Sequence, residues 1–131
     1  TTIMAPLLGA LLAQNPRRGL VIGLGTGESA GWLAEVPSMQ HVDCVELEPA
    51  VIEVAQILAA HNFDVVNHTK VRIHVGDGRE FVLTSRETYD VIMSEPSNPY
   101  RAGVASLFSQ DFYRSVHDRL DDEGVFVQWL Q

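Results

Sequence analysis

Short strand-like segments alternate along this chain with segments whose apolar positions recur every three or four residues. Gly19-Leu-Val-Ile-Gly23 is the first run, and it ends in glycine, as a strand buried on both faces would. Val42–Glu46, Val71–Val75 and Tyr89–Met93 read as the second, third and fourth strands. Asp122-Glu-Gly124 reads as a turn into a fifth strand, Val125–Leu130. Helix-like segments lie between. Ile3–Leu12 reads as a short apolar helix, broken or entered at Pro6, and Glu28–Val36 as a helix that Pro37 stops. Pro49 opens a third helix at a favourable first-turn position, with Val51, Val54, Ala55 and Leu58 spaced to form its sheet-facing side. Asn62–Thr69 is a polar loop, Arg79–Thr84 a short helix and Ser94–Ala105 a long loop carrying Pro96 and Pro99. Phe108–Leu120 reads as a helix with Phe112, Val116 and Leu120 on one face.

Strands alternating with helices predict an α/β fold: a Rossmann-like three-layer sandwich with a mostly parallel sheet, ordered 3-2-1-4-5, and right-handed crossovers. With no repeat and no Pro/Gly/Ser linker, residues 1–131 are expected to form a single nucleoside-binding domain. Hydrophobic residues make up 46% of the chain and charged residues 20%, enough apolar material for a real core. The single cysteine, Cys44, excludes a disulfide scaffold and fits a reducing, cytoplasmic setting. The most apolar run, Ile3–Ala13, is shorter than the roughly 20 residues of a membrane span, so direct membrane insertion of this segment is not expected. Nor does it carry the basic start and cleavage site of a signal peptide. Nine Lys+Arg against 17 Asp+Glu give a net charge of −8, which disfavours nucleic acid as a partner and suits a cationic small substrate.

Parallel sheets of this kind bind ligands at the carboxyl ends of their strands, and the distinctive residues fall there. Gly23-Leu-Gly25-Thr-Gly27-Glu28 follows the first strand. Glu28 stands where the dinucleotide fingerprint needs its last glycine, so the loop suits a nucleoside and its attached chain better than a pyrophosphate. Glu46 ends the second strand, about 20 residues on, where an acid can accept from ribose hydroxyls. Read alone it fits a solvated strand end equally well, and the register with the glycine loop favours the ribose. Glu48 faces the other way, to cap the following helix or line the site's edge. Asp77, between Gly76 and Gly78, is either an ordinary turn residue or an acceptor for an exocyclic adenine amine. Glu95 emerges after the fourth strand, in a loop that two prolines stiffen. The five histidines show no metal-ligand spacing, and no metal is expected. His74 reads as a packed or hydrogen-bonded imidazole, Cys44 as a buried hydrophobe, and Trp32, Phe112 and Trp129 as core.

Taken together, Val21-Ile-Gly-Leu-Gly-Thr-Gly27, Cys44-Val-Glu-Leu-Glu48, His74-Val-Gly-Asp-Gly78, Tyr89-Asp-Val-Ile-Met93 and Ser106-Leu-Phe108 through Tyr113 resemble the spermidine synthase (aminopropyltransferase) family. That family shares the fold of class I S-adenosylmethionine-dependent methyltransferases. The resemblance runs from about Asn15 to Gln131. The Ser94–Pro99 loop and the Gly124–Trp129 ending look most like spermidine-synthase-like domains fused to membrane segments, so the parent protein could be membrane-attached.

The resemblance implies a transferase that moves an aminopropyl group from decarboxylated S-adenosylmethionine to a polyamine or other amine acceptor. Gly23, Gly25, Thr26 and Gly27 would lie under the sulfonium nucleoside, Glu46 and Leu47 at the ribose, and Asp77 and Gly78 at the adenine. Glu95 would hold and deprotonate the attacking amine, with Asn98 and Tyr100 at the substrate. Thr26 and Asn98 replace family aspartates, which keeps a methyltransferase using S-adenosylmethionine itself as one alternative and a non-catalytic nucleoside- or partner-binding domain as another. The family's amino-terminal hairpin domain and final strands are not in the sequence, so it is expected to be a fragment, a poor catalyst in isolation, with a homodimer as one assembly.

Overall fold

The computed structural model describes residues 2–96 and 103–130. The elements are α1 (Met4–Ala13), β1 (Arg18–Ile22), α2 (Glu28–Glu35), β2 (His41–Glu46), α3 (Pro49–Ile57), β3 (Val71–Val75), α4 (Gly78–Thr84), β4 (Tyr89–Ser94), a 3₁₀ turn (Ala105–Phe108), α5 (Gln110–Arg119) and β5 (Leu120–Gln128). The five strands form one sheet in the order β3-β2-β1-β4-β5, and every pairing is parallel. This is the predicted order.

Alternation along each strand divides the apolar residues between two faces. Val21, Cys44, Val91 and Met93 face a core shared with Leu33 of α2 and Ala55 of α3, while Leu20, Ile22, Val45 and Ile92 face Phe112 and Val116 of α5 and Val82 of α4. The sheet is thus covered on both sides, and β1 at its centre is an unbroken apolar run for that reason. Cys44 is fully buried, and burial pushes its thiol well above its ordinary range. α1 packs across β4 and β5 at Gly9, where a Cβ would approach Val91 and Val127 to 3.2 Å. No helix among the described residues is long and apolar enough to cross a membrane.

Several local expectations need correction. In α3 the inward side is Val51, Ile52 and Ala55, and Val54 is exposed, so the core-facing stripe is rotated by one residue. α5 begins at Gln110 rather than Phe108, because the Ser109 side chain captures the Phe112 N–H (3.2 Å) and caps the helix with extended backbone. Leu120 does not continue α5; it begins β5. The residues expected as a turn, 122–124, lie inside β5 at a register shift, with Tyr89 opposite Leu120 and Val91 opposite Val125. The shift takes up the extra residues as an irregularity of the edge strand, where such features are tolerated. Trp129 is 39% exposed and is not core. Trp32 is half-buried, edge-on to Phe63, and Phe112 is fully buried.

Candidate active site

The carboxyl ends of β1 to β4 are tied to one another by main-chain bonds: Gly23 N–H to Val45 O (2.8 Å), Gly76 N–H to Glu46 O (2.9 Å) and Glu95 N–H to Ile22 O (2.9 Å). The four loops that carry the candidate residues therefore leave the sheet side by side. The glycine loop after β1 needs its glycines for different reasons. Gly23 has φ +96°, and a Cβ there would lie 2.9 Å from the Glu95 carbonyl oxygen, so the β1 and β4 ends can approach this closely only without a side chain. Gly25 has φ +53° and open space where a Cβ would be, leaving bare backbone toward the cavity.

Glu46 is 9% exposed at the last position of β2. Its Oε2 accepts from Leu24 N–H (2.9 Å) and its Oε1 from Glu48 N–H (2.9 Å). The carboxylate thus fastens the glycine loop to the β2–α3 turn. Two of its roughly four acceptor positions are used, so hydroxyl donors can still be met. Glu48 makes no side-chain cap bond to α3, contrary to one expectation, but it does line the site's edge. Asp77 caps α4 through Oδ1, which accepts from Arg79 N–H (2.8 Å) and Glu80 N–H (3.3 Å). The turn role is therefore real, and the residue also lines the cavity. A Cβ on Gly78 would collide with Ile22 Cγ2, which explains the glycine at the start of α4.

Glu95, the first residue after β4, is half-buried, and its Oε1 accepts from Ser29 Oγ at 2.7 Å. Burial raises the carboxyl above its ordinary value, and the bond from Ser29 pulls in the opposite direction without cancelling it.

These strand ends enclose a cavity of about 440 Å³, in the range of small-molecule sites. Gly23, Gly25, Glu46, Leu47, Asp77, Gly78 and Glu95 all line it, as expected for a shared site. Thr26 and Gly27 do not: Thr26 is exposed with its carbonyl turned to Asn62, and Gly27 is buried against Asn62 and Val65. The expectations for Asn98 and Tyr100 lie outside the described residues. Four of the described lining residues are acidic, Glu46, Glu48, Asp77 and Glu95, and none is lysine or arginine. Low-dielectric walls concentrate that negative field, which favours a cationic occupant.

Three supporting residues escaped the sequence reading. Asn62, fully buried, donates from Nδ2 to Thr26 O (2.8 Å) and Ala55 O (2.7 Å) and accepts at Oδ1 from Val65 N–H (3.2 Å), bracing the glycine loop from behind. Gln128 Nε2 donates to Leu107 O (2.8 Å) and holds the 3₁₀ turn whose Leu107 lines the cavity. Ser29 is the third. Asn62 and Ser29 sit in no motif, Gln128 lies within the Gly124–Trp129 ending without a role assigned to it, and only the fold brings the three to the site. His74 is hydrogen-bonded, as expected: its Nε2 lies 2.8 Å from Asp43 Oδ1, on a buried aspartate that also accepts from Tyr89 OH (2.8 Å).

Comparison with known proteins agrees with this geometry. The polyamine aminopropyltransferase of Moorella thermoacetica is 36% identical over 113 residues, covering 86% of this chain and 40% of that protein. A spermidine synthase crystallised with the transition-state analogue AdoDATO superposes with a TM-score of 0.83 at 25% identity, over 95% of this chain and 44% of that one. Human methyltransferase-like protein 13, in complex with SAH, gives a TM-score of 0.68 at 28% identity, over 95% of this chain and 58% of that one. The fold is thus Rossmann-like and of the methyltransferase type. The chain spans about two fifths of the length of the curated relatives it matches. The family model for the spermine/spermidine synthase domain matches residues 4–130, and with the strand-end acids gathered as described, the chain belongs to that family.

Proposed function

We propose that this domain binds decarboxylated S-adenosylmethionine and transfers its aminopropyl group to a polyamine or other small amine. The observation that carries the reading is the cavity wall: four acids and no basic side chain among the described lining residues, set at the carboxyl edge of a parallel sheet beside a glycine loop. A sulfonium with a free ammonium and a protonated amine acceptor are all cations. In this reading Glu46 receives the ribose hydroxyls, Asp77 the adenine amine, and Leu47, Val104 and Leu107 supply apolar surface to the base.

The reaction needs little covalent help from the protein. An amine nitrogen attacks the methylene next to the sulfonium, the new C–N bond forms as the C–S bond breaks, and the bonding pair returns to sulfur as a neutral thioether. The amine must shed a proton, and Glu95 is the group to take it. A carboxyl raised by burial is a stronger base than an exposed one, and general base catalysis typically contributes about 10²–10⁴-fold. The rest is orientation.

Methyl transfer from S-adenosylmethionine is a second reading, favoured by the fold shared with methyltransferase-like protein 13. Calorimetry on the two cofactors separates them. The extra carboxylate of S-adenosylmethionine would enter an acidic cavity, and one repulsion at about 7 Å in a medium of effective dielectric about 40 is worth about tenfold in affinity. At least that preference for the decarboxylated form is expected, and a preference for the carboxylated form would overturn the reading. In the same assay Glu46→Ala should weaken nucleoside binding about ten- to a hundredfold, the worth of hydrogen bonds to a carboxylate. Unchanged affinity in a folded variant would remove Glu46 from the site.

A further inference from the structure

Glu95 is held by a serine from another element. Ser29 lies in the first turn of α2 and is 2% exposed. Its hydroxyl is 2.7 Å from Glu95 Oε1 and 3.1 Å from the Thr2 carbonyl. One hydroxyl carries one proton, so it serves one acceptor at a time. An ionised carboxylate is the stronger acceptor and takes it; the Thr2 carbonyl is the alternative when the carboxyl is neutral. Ser29 does not line the cavity and Glu95 does, so the serine reaches the acid from behind. Only Oε1 is engaged by Ser29, which leaves the Oε2 edge for a ligand.

The length of the side chain matters. An aspartate at position 95 would be about 1.5 Å shorter. From the same backbone position, the contact with Ser29 would open to about 4 Å, beyond a hydrogen bond. The backbone cannot slide to compensate, because the Glu95 N–H is bonded to Ile22 O (2.9 Å) and its carbonyl is packed on Gly23.

Resting on the reading of Glu95 as the group that takes the acceptor's proton, we propose that Ser29 is its positioning residue, clamping Oε1 so that Oε2 faces the acceptor amine and holding the carboxyl in its ionised, proton-accepting form. The glutamate at this position and the serine on α2 act as one unit, and neither works as well without the other.

The test follows position 95 directly in the full protein that carries this sequence, labelled with ¹³C-glutamate or, for the Glu95→Asp background, with ¹³C-aspartate, and the signal is assigned by its loss in Glu95→Gln. Ser29→Ala should raise the Glu95 titration midpoint by about one pH unit, a tenfold change in proton affinity, since a donor to the charged form is lost. The acid limb of the kcat–pH profile for amine transfer should move up with it, while nucleoside affinity stays within twofold. In a Glu95→Asp background, where the carboxyl no longer reaches, Ser29→Ala should leave the midpoint where it was. Should Ser29→Ala fail to fold, Ser29→Cys takes its place, because a thiol is a much weaker donor and should raise the Glu95 midpoint in the same direction. A Glu95 midpoint unmoved by Ser29→Ala, or an equal shift in the Glu95→Asp background, overturns the proposal whatever the activity. A midpoint that moves as expected, with turnover of Glu95→Gln within a few-fold of wild type, overturns instead the reading of Glu95 as the base, and Ser29's part in the reaction with it.

Discussion

Replacing Asn62 by alanine should cost this protein stability and weaken the proposed nucleoside site, and the size of the effect follows from three hydrogen bonds. The amide is fully buried and bridges Thr26 O, Ala55 O and Val65 N–H. Alanine strands the last two in a region closed to water, while Thr26, on the exposed loop, can rehydrate. Each buried group left without a partner costs about 1–3 kcal/mol. Two of them give about 4 kcal/mol, a large part of the roughly 5–15 kcal/mol that holds a domain folded. In urea, with a slope of about 2 kcal/mol per molar, the midpoint should fall by about 2 M. The glycine loop, unbraced at Thr26, should also bind 5′-methylthioadenosine more weakly. Asn62→Asp is expected to be no better, because it keeps the acceptor for Val65 but sets a carboxylate against two carbonyl oxygens. A midpoint within about 0.5 M of wild type for Asn62→Ala, roughly 1 kcal/mol, would refute the argument that this side chain alone satisfies those groups.

Gly31→Ala should be destabilising by about 2–4 kcal/mol although alanine is the better helix former, because the new methyl meets the Asn62 carbonyl, a main-chain atom that cannot swing aside. A thermal melt with equal or higher Tm would contradict this. Glu95→Gln should stabilise the protein at pH 7. The folded-state carboxyl is raised by burial, so Glu95's contribution to stability is fully present below the ordinary glutamate value of about 4.3 and is lost as pH rises through the folded value. Urea melts should therefore show the glutamine variant ahead at pH 7 and level with wild type near pH 4. A glutamine variant behind at pH 7, or an equal gap at both values, would count against it.

What the chain declares by itself is its periodicity and the chemistry at its strand ends. The unbroken apolar run at Gly19–Gly23 is satisfied between two helical layers, and the alternation of strand-like and helix-like segments made a parallel sheet and its order legible. In such a sheet the carboxyl ends lie on one edge, which is why Gly23, Glu46, Asp77 and Glu95, separated by 18 to 31 positions in sequence, could be grouped from the sequence. Contacts between side chains from distant elements follow no period. Asn62 sits in a stretch that reads as plain polar loop, and Ser29 looks like any residue of a first helical turn. The bond from Ser29 to Glu95 spans 66 positions, and that from Asn62 to Thr26 spans 36. The rotation of α3 that turns Val54 outward, and the shift that folds residues 122–124 into β5, depend equally on which neighbour each element meets. Local sequence encodes the layers because burial acts on each residue separately, whereas the brace, the clamp and the register arise only once the layers have closed on one another.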